Sequence, residues 1–382
     1  MATDLQSTLE TLTALPSTDS PFLSVYLDWT PDGNGNRQSL RALQDELDLI
    51  AERMKDRSTE REGFEADRER IMNYVNNEAP VDARSLAIFA CSAEGIWETI
   101  PLQVPVPTQI VEDRFPHTFN LARIIDDYET YAVVLADAQE SRILVISLNE
   151  AEQAAETESA EPIKRFEAGG WGQMLFQRRT ENLVKAHTKE ISDTLSRIIK
   201  RYDVKHVIIA GNDSIKGAVM GSLTNDIKDK LVDYINLDIT GNLPSIMEVI
   251  EPMMRDVERA QEADDVSQLE GEVGRQGLGV VGVSETALAL TKGQVDTLIM
   301  HQNFVGTGGE CPNCGTIRAG LRPKCPYDGT EMQQIDLREA FTARALQQGS
   351  AIQIVEESEY LDQHEGVGAL LRYRDTQQAQ TV

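Results

Sequence analysis

Apolar residues in this chain fall into short runs of two kinds, and the kinds alternate. Residues 22–27 form an apolar, strand-like run after an opening helix. Leu40, Leu43, Leu47, Ile50 and Met54 then recur at helical spacing, and charged residues continue that helix toward Tyr74. Between them, Asp32, Gly33, Asn34, Gly35 and Asn36 make a turn. Residues 86–90 are a buried strand, residues 96–102 pair with it as a hairpin, and the proline-rich stretch 101–107 leads away.

A second series begins near Ile124. Residues 131–136 and 143–146 are β-rich and joined by the turn 137–142, a hairpin signal. Residues 149–161 are acidic, alanine-rich and irregular. A helix follows with Leu183, Leu195, Ile198, Ile199 and Tyr202 on one face, then strands over 205–210 and 235–239. The first of these strands runs into Gly211, Asn212, Asp213 and Lys216, a strand-to-helix turn with anion-binding geometry in principle but too short and too common to be a phosphate loop.

The third series opens at Pro244 with an acidic helix to about Glu270. Strands over 277–283 and 297–300 flank a helix over 285–292; a helix over 337–348 and strands over 351–355 and 368–372 close the chain. Strands alternating with helices throughout predict a mixed α/β (α+β) chain of three stacked domains. Their spans are 1–122, 123–243 and 244–382, the last with an insertion over 306–330.

Composition narrows the function. Hydrophobic residues at 41% describe an ordinary soluble protein. No run approaches the ~18 apolar residues of a membrane span, and the opening MATDLQSTLE lacks the basic and apolar regions of a secretory signal. The expectation is a cytoplasmic monomer with no membrane partner. A net charge of −27 argues against broad nucleic-acid binding, yet residues 164–205 hold ten Lys or Arg against five Asp or Glu. One basic element on an acidic body predicts one specific phosphate contact.

Three of the four cysteines cluster. Cys311 and Cys314 sit on a tight knuckle, and Cys325-Pro326-Tyr327-Asp328-Gly329 repeats it with Asp328 where a fourth cysteine would stand. This spacing predicts a structural zinc held by Cys311, Cys314, Cys325 and Asp328 in a zinc-ribbon-like excursion. Cys91, in an apolar run, is expected in the core.

Gly169-Gly170-Trp171-Gly172-Gln173 precedes the basic helix, and its three glycines open backbone conformations closed to other residues. With this segment, Glu285-Thr286-Ala287-Leu288, the run from Gly293 through Ile299, the cysteine knuckles and the ending from Gly366 through Tyr373, the chain resembles the archaeal and eukaryotic class 1 peptide chain release factor and Pelota superfamily. It is most similar to the bacterial release-factor-like, Balon-like branch. The resemblance implies an N-terminal decoding-site domain, an RNase H-like middle domain, and a C-terminal domain docking a translational GTPase, EF-Tu in bacteria or its archaeal counterpart.

It further implies that residues 169–173 enter the peptidyl transferase centre of the ribosome at the A site. Gly169, Gly170, Gly172 and Gln173 would there orient water and stabilise the oxyanion of a peptidyl-tRNA ester. Arg178, Arg179, Lys185 and Lys189 would hold RNA phosphate. Family members read Gly-Gly-Gln, four residues, Phe, and a basic residue two further on. Aligned without a gap, Gly169, Gly170, Phe176 and Arg178 match, but Trp171 falls on the glutamine position; a local shift brings in Gln173. Trp171 then becomes a stacking contact. No Asn-Ile-Lys-Ser-like motif stands in the first domain, where the nearest loop is 33–37.

Three functions follow: a ribosome-dependent peptidyl-tRNA hydrolase acting in rescue; a noncatalytic hibernation factor occupying the A site of idle ribosomes with EF-Tu; and a metal-dependent RNA nuclease using Asp126, Asp127 and Asp137.

Overall fold

A computed structural model describes residues 2–15, 18, 20–54, 59–148, 150–158, 171–237 and 241–375 of the chain. After helix α1 (Ala2–Thr13), strand β1 (Phe22–Asp28) is buried at every position but its last. Such a strand needs cover on both faces. Helices α2 (Ser39–Arg53) and α3 (Thr59–Asn77) supply one cover, and strands β2 (Ser85–Cys91), β3 (Ile96–Leu102) and β4 (Gln109–Asp113) complete an antiparallel sheet ordered β3-β2-β1-β4. Leu23, Val25 and Leu27 pack with Leu86 and Ile88 against Leu43, Leu47 and Ile50 of α2 and Phe64, Ile71 and Val75 of α3.

The pattern from Leu40 to Tyr74 predicts one helix, and the structure has two. A single helix over residues 39–77 would be about 58 Å long, against about 23 Å for a seven-residue strand. Both apolar stripes reach one short sheet only if the helix breaks. Met54 is extended (φ −83°, ψ 144°), and Arg61 of α3 donates to the carbonyls of Ala51 (2.9 Å) and Met54 (3.2 Å), tying the two helices together. Helix α4 (Phe119–Asp127) follows β4.

The next sheet is built on the expected hairpin. β5 (Tyr131–Ala136) pairs antiparallel with β6 (Glu140–Ser147), Tyr131 opposite Ile146. β7 (Glu150–Glu158) adds to the β6 edge. After helix α5 (Trp171–Tyr202), β8 (His206–Gly211) lies parallel to β5; helices α6 (Asp213–Ser222) and α7 (Asn225–Lys228) lead to β9 (Leu231–Asn236), parallel to β8. The order β7-β6-β5-β8-β9, with only β6 reversed, is an RNase H-like arrangement. Alternate residues separate two cores. Ala132, Val134 and Val145 face Ile191, Leu195 and Ile198 of α5 with Ile215 and Val219 of α6, whereas Tyr131, Val133 and Leu135 face Ile246 and Ile250 of helix α8 (Leu243–Gly274).

β7 overturns the irregular reading of its segment. Glutamate and alanine are poor strand formers, so composition hides it. An edge strand needs only one partner, and a glutamate-rich edge discourages further pairing.

Beyond α8, β10 (Gly279–Val281), α9 (Val283–Thr291), β11 (Val295–His301), β12 (Thr307–Glu310), β13 (Ile317–Ala319), β14 (Gln333–Asp336), α10 (Leu337–Gln347), β15 (Ala351–Val355), α11 (Glu359–Asp362) and β16 (Val367–Leu371) follow. One sheet runs β10-β16-β11-β15, with β11 and β15 parallel; a separate ribbon runs β13-β12-β14. Leu298, Met300 and Ala369 pack on Leu290, Phe341 and the α4 residue Phe119, while Ile299 and Leu370 on the other face meet Leu269 of α8. The chain divides into two compact units, Met1–Asp4 with Tyr128–Glu258, and Leu5–Asp127 with Arg259–Val382. Among the described residues no helix is long and apolar enough to cross a membrane.

Candidate functional site

The glycine segment and the helix behind it form the first candidate. Gly169 and Gly170 lie outside the described residues. α5 begins at Trp171, so Trp171, Gly172 and Gln173 occupy its first turn, not the loop that the glycine spacing predicts. Amides in a first turn have no intrahelical acceptor and sit at the positive end of the helix dipole. Farther along, Arg178, Arg179, Lys185 and Lys189 are exposed, while His187, Thr188, Ile191 and Leu195 are buried on the opposite side.

The turn after β8 is already filled. Asn212 caps α6, its side chain accepting from the Ser214 amide at 3.1 Å, and the Lys216 ammonium stands 5.0 Å from the Tyr234 ring centroid. The first-turn amide that an anion would need is thus already taken by a cap supplied by the chain itself.

The cysteine knuckles form the second candidate, at the end of the β13-β12-β14 ribbon. Their backbones match hydrogen bond for hydrogen bond. Cys311 donates to the Thr316 carbonyl (3.0 Å) and its carbonyl accepts from Gly315 (2.8 Å); Cys325 donates to Thr330 (2.8 Å) and accepts from Gly329 (3.0 Å). Gly315 and Gly329 both take left-handed backbone, φ 68° and 75°, which glycine adopts without strain. Asp328 thus occupies in the second turn the place of Cys314 in the first.

The donor atoms of Cys311, Cys314, Cys325 and Asp328 all lie within 4.8 Å of one another, close enough to hold one metal ion. Cys314 Sγ is 3.5 Å from Cys325 Sγ, and Cys311 Sγ is 3.4 Å from Asp328 Oδ2. Cys311 and Cys325 are buried, and Cys314 and Asp328 face solvent.

The surrounding hydrogen bonds favour ionised donors on the exposed side. Thr316, whose Oγ1 is 3.1 Å from Cys314 Sγ, lowers the Cys314 thiol. The Thr330 amide and Asn313 side chain lower the Asp328 carboxyl, while burial raises the Cys311 thiol. Motif reading passes over Thr316 and Thr330. Their signal was present, because Cys-Pro-x-x-Gly-Thr occurs at both 311–316 and 325–330.

The three aspartates considered for nuclease chemistry are occupied elsewhere. Asp137 closes the β5–β6 turn, accepting from the amides of Gln139 (2.7 Å) and Glu140 (2.8 Å). Asp126 accepts from the Ile354 amide at 2.6 Å. Asp127 lies 3.5 Å from Arg123; burial, with Glu356 and Glu262 adding, pushes its carboxyl up to about 7 against the lowering pull of that arginine. Asp126 and Asp127 belong to one compact unit and Asp137 to the other. Among the described residues the metal-holding group is the cysteine cluster.

Comparison with known proteins finds release factors and Pelota proteins among those similar to this chain. A family model described as bacterial archaeo-eukaryotic release factor family 10 matches residues 116–258. A peptide chain release factor subunit 1 of Archaeoglobus fulgidus is 22% identical, covering 72% of each chain. An uncharacterized protein of Mycobacterium tuberculosis is 22% identical over 96% of this chain and 97% of its own. The chain is also similar to archaeal Pelota in a model of ribosome-bound Pelota and ABCE1, with 15% identity, 98% and 94% of the two chains covered, and a TM-score of 0.42. The family match and the release-factor similarity make this chain a relative of the archaeo-eukaryotic release factor and Pelota superfamily.

Proposed function

We propose that the chain is a release-factor-like translation factor that binds the ribosomal A site and acts on peptidyl-tRNA through residues 169–173. One observation carries the reading: the release-factor family match spans residues 116–258, the stretch holding both the glycine segment and the basic helix α5. In this reading the backbone of Gly169, Gly170 and Gly172, with Gln173, presents donors to charge that develops on the ester oxygen, where such donors are most effective. Arg178, Arg179, Lys185 and Lys189 hold RNA phosphate and fix the approach. The C-terminal part docks a translational GTPase such as EF-Tu or its archaeal counterpart.

The knuckles hold zinc in this reading, because three thiolates and a carboxylate on two matched turns suit a tetrahedral ion. Zinc bound there cross-links the ribbon. Cys311, Cys314, Cys325 and Asp328 are its ligands, and Thr316 and Asn313 orient two of them.

The position of Trp171 favours a second reading. In a gapless alignment it takes the place of the family's glutamine, so the segment becomes a stacking probe and the chain a noncatalytic occupant of idle ribosomes. Ribosome co-sedimentation and release of labelled peptide from ribosome-bound peptidyl-tRNA separate the two. Release lost in Gln173→Ala supports hydrolysis. Co-sedimentation without release, weakened in Trp171→Ala, selects the occupant. A chain that does not co-sediment with ribosomes removes both.

A further inference from the structure

Helix α5 carries seven cations, Arg178, Arg179, Lys185, Lys189, Arg197, Lys200 and Arg201, against the three acids Glu181, Glu190 and Asp193. Three of the seven are engaged. Arg197 donates to Thr194 Oγ1 (2.9 Å) and to the Asp193 carbonyl (3.4 Å). The Arg201 guanidinium lies 5.2 Å from the Tyr202 ring centroid, and Arg179 has an interaction of its own. The side chains of Arg178, Lys185, Lys189 and Lys200 are exposed and have no hydrogen bond or ion pair to any described residue.

The four unengaged cations are also the four that share a line. Offsets of seven, eleven and twenty-two residues from Arg178 are about two, three and six helical turns. Arg179, Arg197 and Arg201 stand about a quarter of a turn or more away. The line runs roughly 33 Å, on the side away from Ile191, Leu195 and Ile198 in the core. Asn182, Ser192 and Ser196 are its other members between Arg178 and Lys200, so no aromatic side chain interrupts it there.

We propose that this line is a rail for the phosphate backbone of double-helical RNA, with Lys200 as its far end. Its four cations stand roughly 10, 6 and 16 Å apart along the helix, so each can meet a separate phosphate where a strand crosses the line. Platforms for single strands set aromatic rings among their cations so that bases can stack; this line offers charge alone. It reads backbone position and not sequence. The rail rests on the ribosomal reading for its setting, but a bare duplex suffices to test it.

The test measures binding of the full chain to a short labelled RNA duplex across a salt series. In the variant Lys185→Gln/Lys189→Gln/Lys200→Gln the slope of log affinity against log salt should fall by about 2.7, three contacts at about 0.9 each. Arg197→Gln should keep the wild-type slope, and changing the duplex sequence should alter nothing. An unchanged slope in the triple variant overturns the rail. So does tighter binding of the corresponding single strand, or displacement of the duplex by an acidic polypeptide as readily as by unlabelled duplex. If the wild type co-sediments with ribosomes while the triple variant keeps its slope, only the rail fails. If the slope behaves as expected but no co-sedimentation occurs, only the ribosomal reading fails.

Discussion

Glu339, in α10, closes the amino end of a helix it does not belong to: its Oε2 accepts the amide of Phe119, the first residue of α4, at 2.9 Å. The same oxygen accepts the Thr118 amide at 2.7 Å. Phe119 then enters the core beside Leu298 and Phe341. A buried carboxylate is costly unless donors surround it, and here the amides of Thr118, just before α4, and of Phe119 do so. Glu339→Ala strands both donors in the interior. It should remove about 3 kcal/mol of stability from the unit that contains it, and Glu339→Gln, which keeps an acceptor, should lose less. Urea unfolding decides the matter; an alanine variant as stable as wild type would mean the cap contributes nothing.

The neighbouring histidine makes the same joint pH-dependent. His117 Nε2 is 2.8 Å from Asp113 Oδ2, and its Nδ1 is 3.6 Å from Glu339 Oε1. Burial pulls the imidazole down, but the Asp113 hydrogen bond and the charges of Glu339, Asp113 and Asp336 together hold it above the ordinary histidine range. A raised folded value means that the charged form stabilises the fold. That contribution is fully present below about pH 6.5, the unfolded value, and is lost as pH rises through the folded value. His117→Gln should remove this part of the pH dependence. Unfolding midpoints measured from pH 5 to 9 would show it, and a variant with an undiminished loss on the alkaline side would sink the assignment.

Gly211 ends β8 directly opposite Ala136 of β5. A Cβ there would stand 2.3 Å from the Ala136 carbonyl oxygen and 2.9 Å from the Tyr234 hydroxyl. The nearer clash is with backbone, which cannot swing aside as a side chain can. Gly211→Ala should therefore destabilise the β5–β9 sheet by about 3 kcal/mol, the upper range for overpacking. Adding Tyr234→Phe should not rescue it, because the Ala136 carbonyl remains. Thermal unfolding of the single and double variants provides the measurement, and full rescue by phenylalanine would show that the hydroxyl was the obstacle.

The same contrast explains what could be read from the sequence. β5, β6 and β8 were legible because their apolar runs answer to burial alone, and the knuckles because their spacing is local. The break between α2 and α3 was not, since the length of the sheet beneath them sets it. Nor was β7, whose glutamates and alanines carry no strand signal until β6 offers an edge. Glu339 and His117 meet from distant parts of the chain, so no window of sequence contains their relation. Along α5 the cations could be counted from sequence, but which of them are engaged depends on neighbours such as Thr194 and Tyr202.

Asp328 gives the sharpest test of the knuckles. Its turn copies that of Cys314, so Asp328→Cys restores a fourth thiolate without altering the backbone that presents it. Thiolate is the softer ligand, and a site of four should hold zinc more tightly than one of three with a carboxylate. Asp328→Ala removes a ligand and should weaken binding by at least about 10- to 100-fold, the loss typical of outer partners alone. Cobalt substitution followed by absorption spectroscopy reports ligand number and type, and competition with a chelating dye gives the order of affinities. The expected order is Asp328→Cys, wild type, Asp328→Ala. An alanine variant that holds metal as tightly as wild type would show that Asp328 only braces the turn through Thr330 and Asn313, leaving a three-thiolate site with an open position.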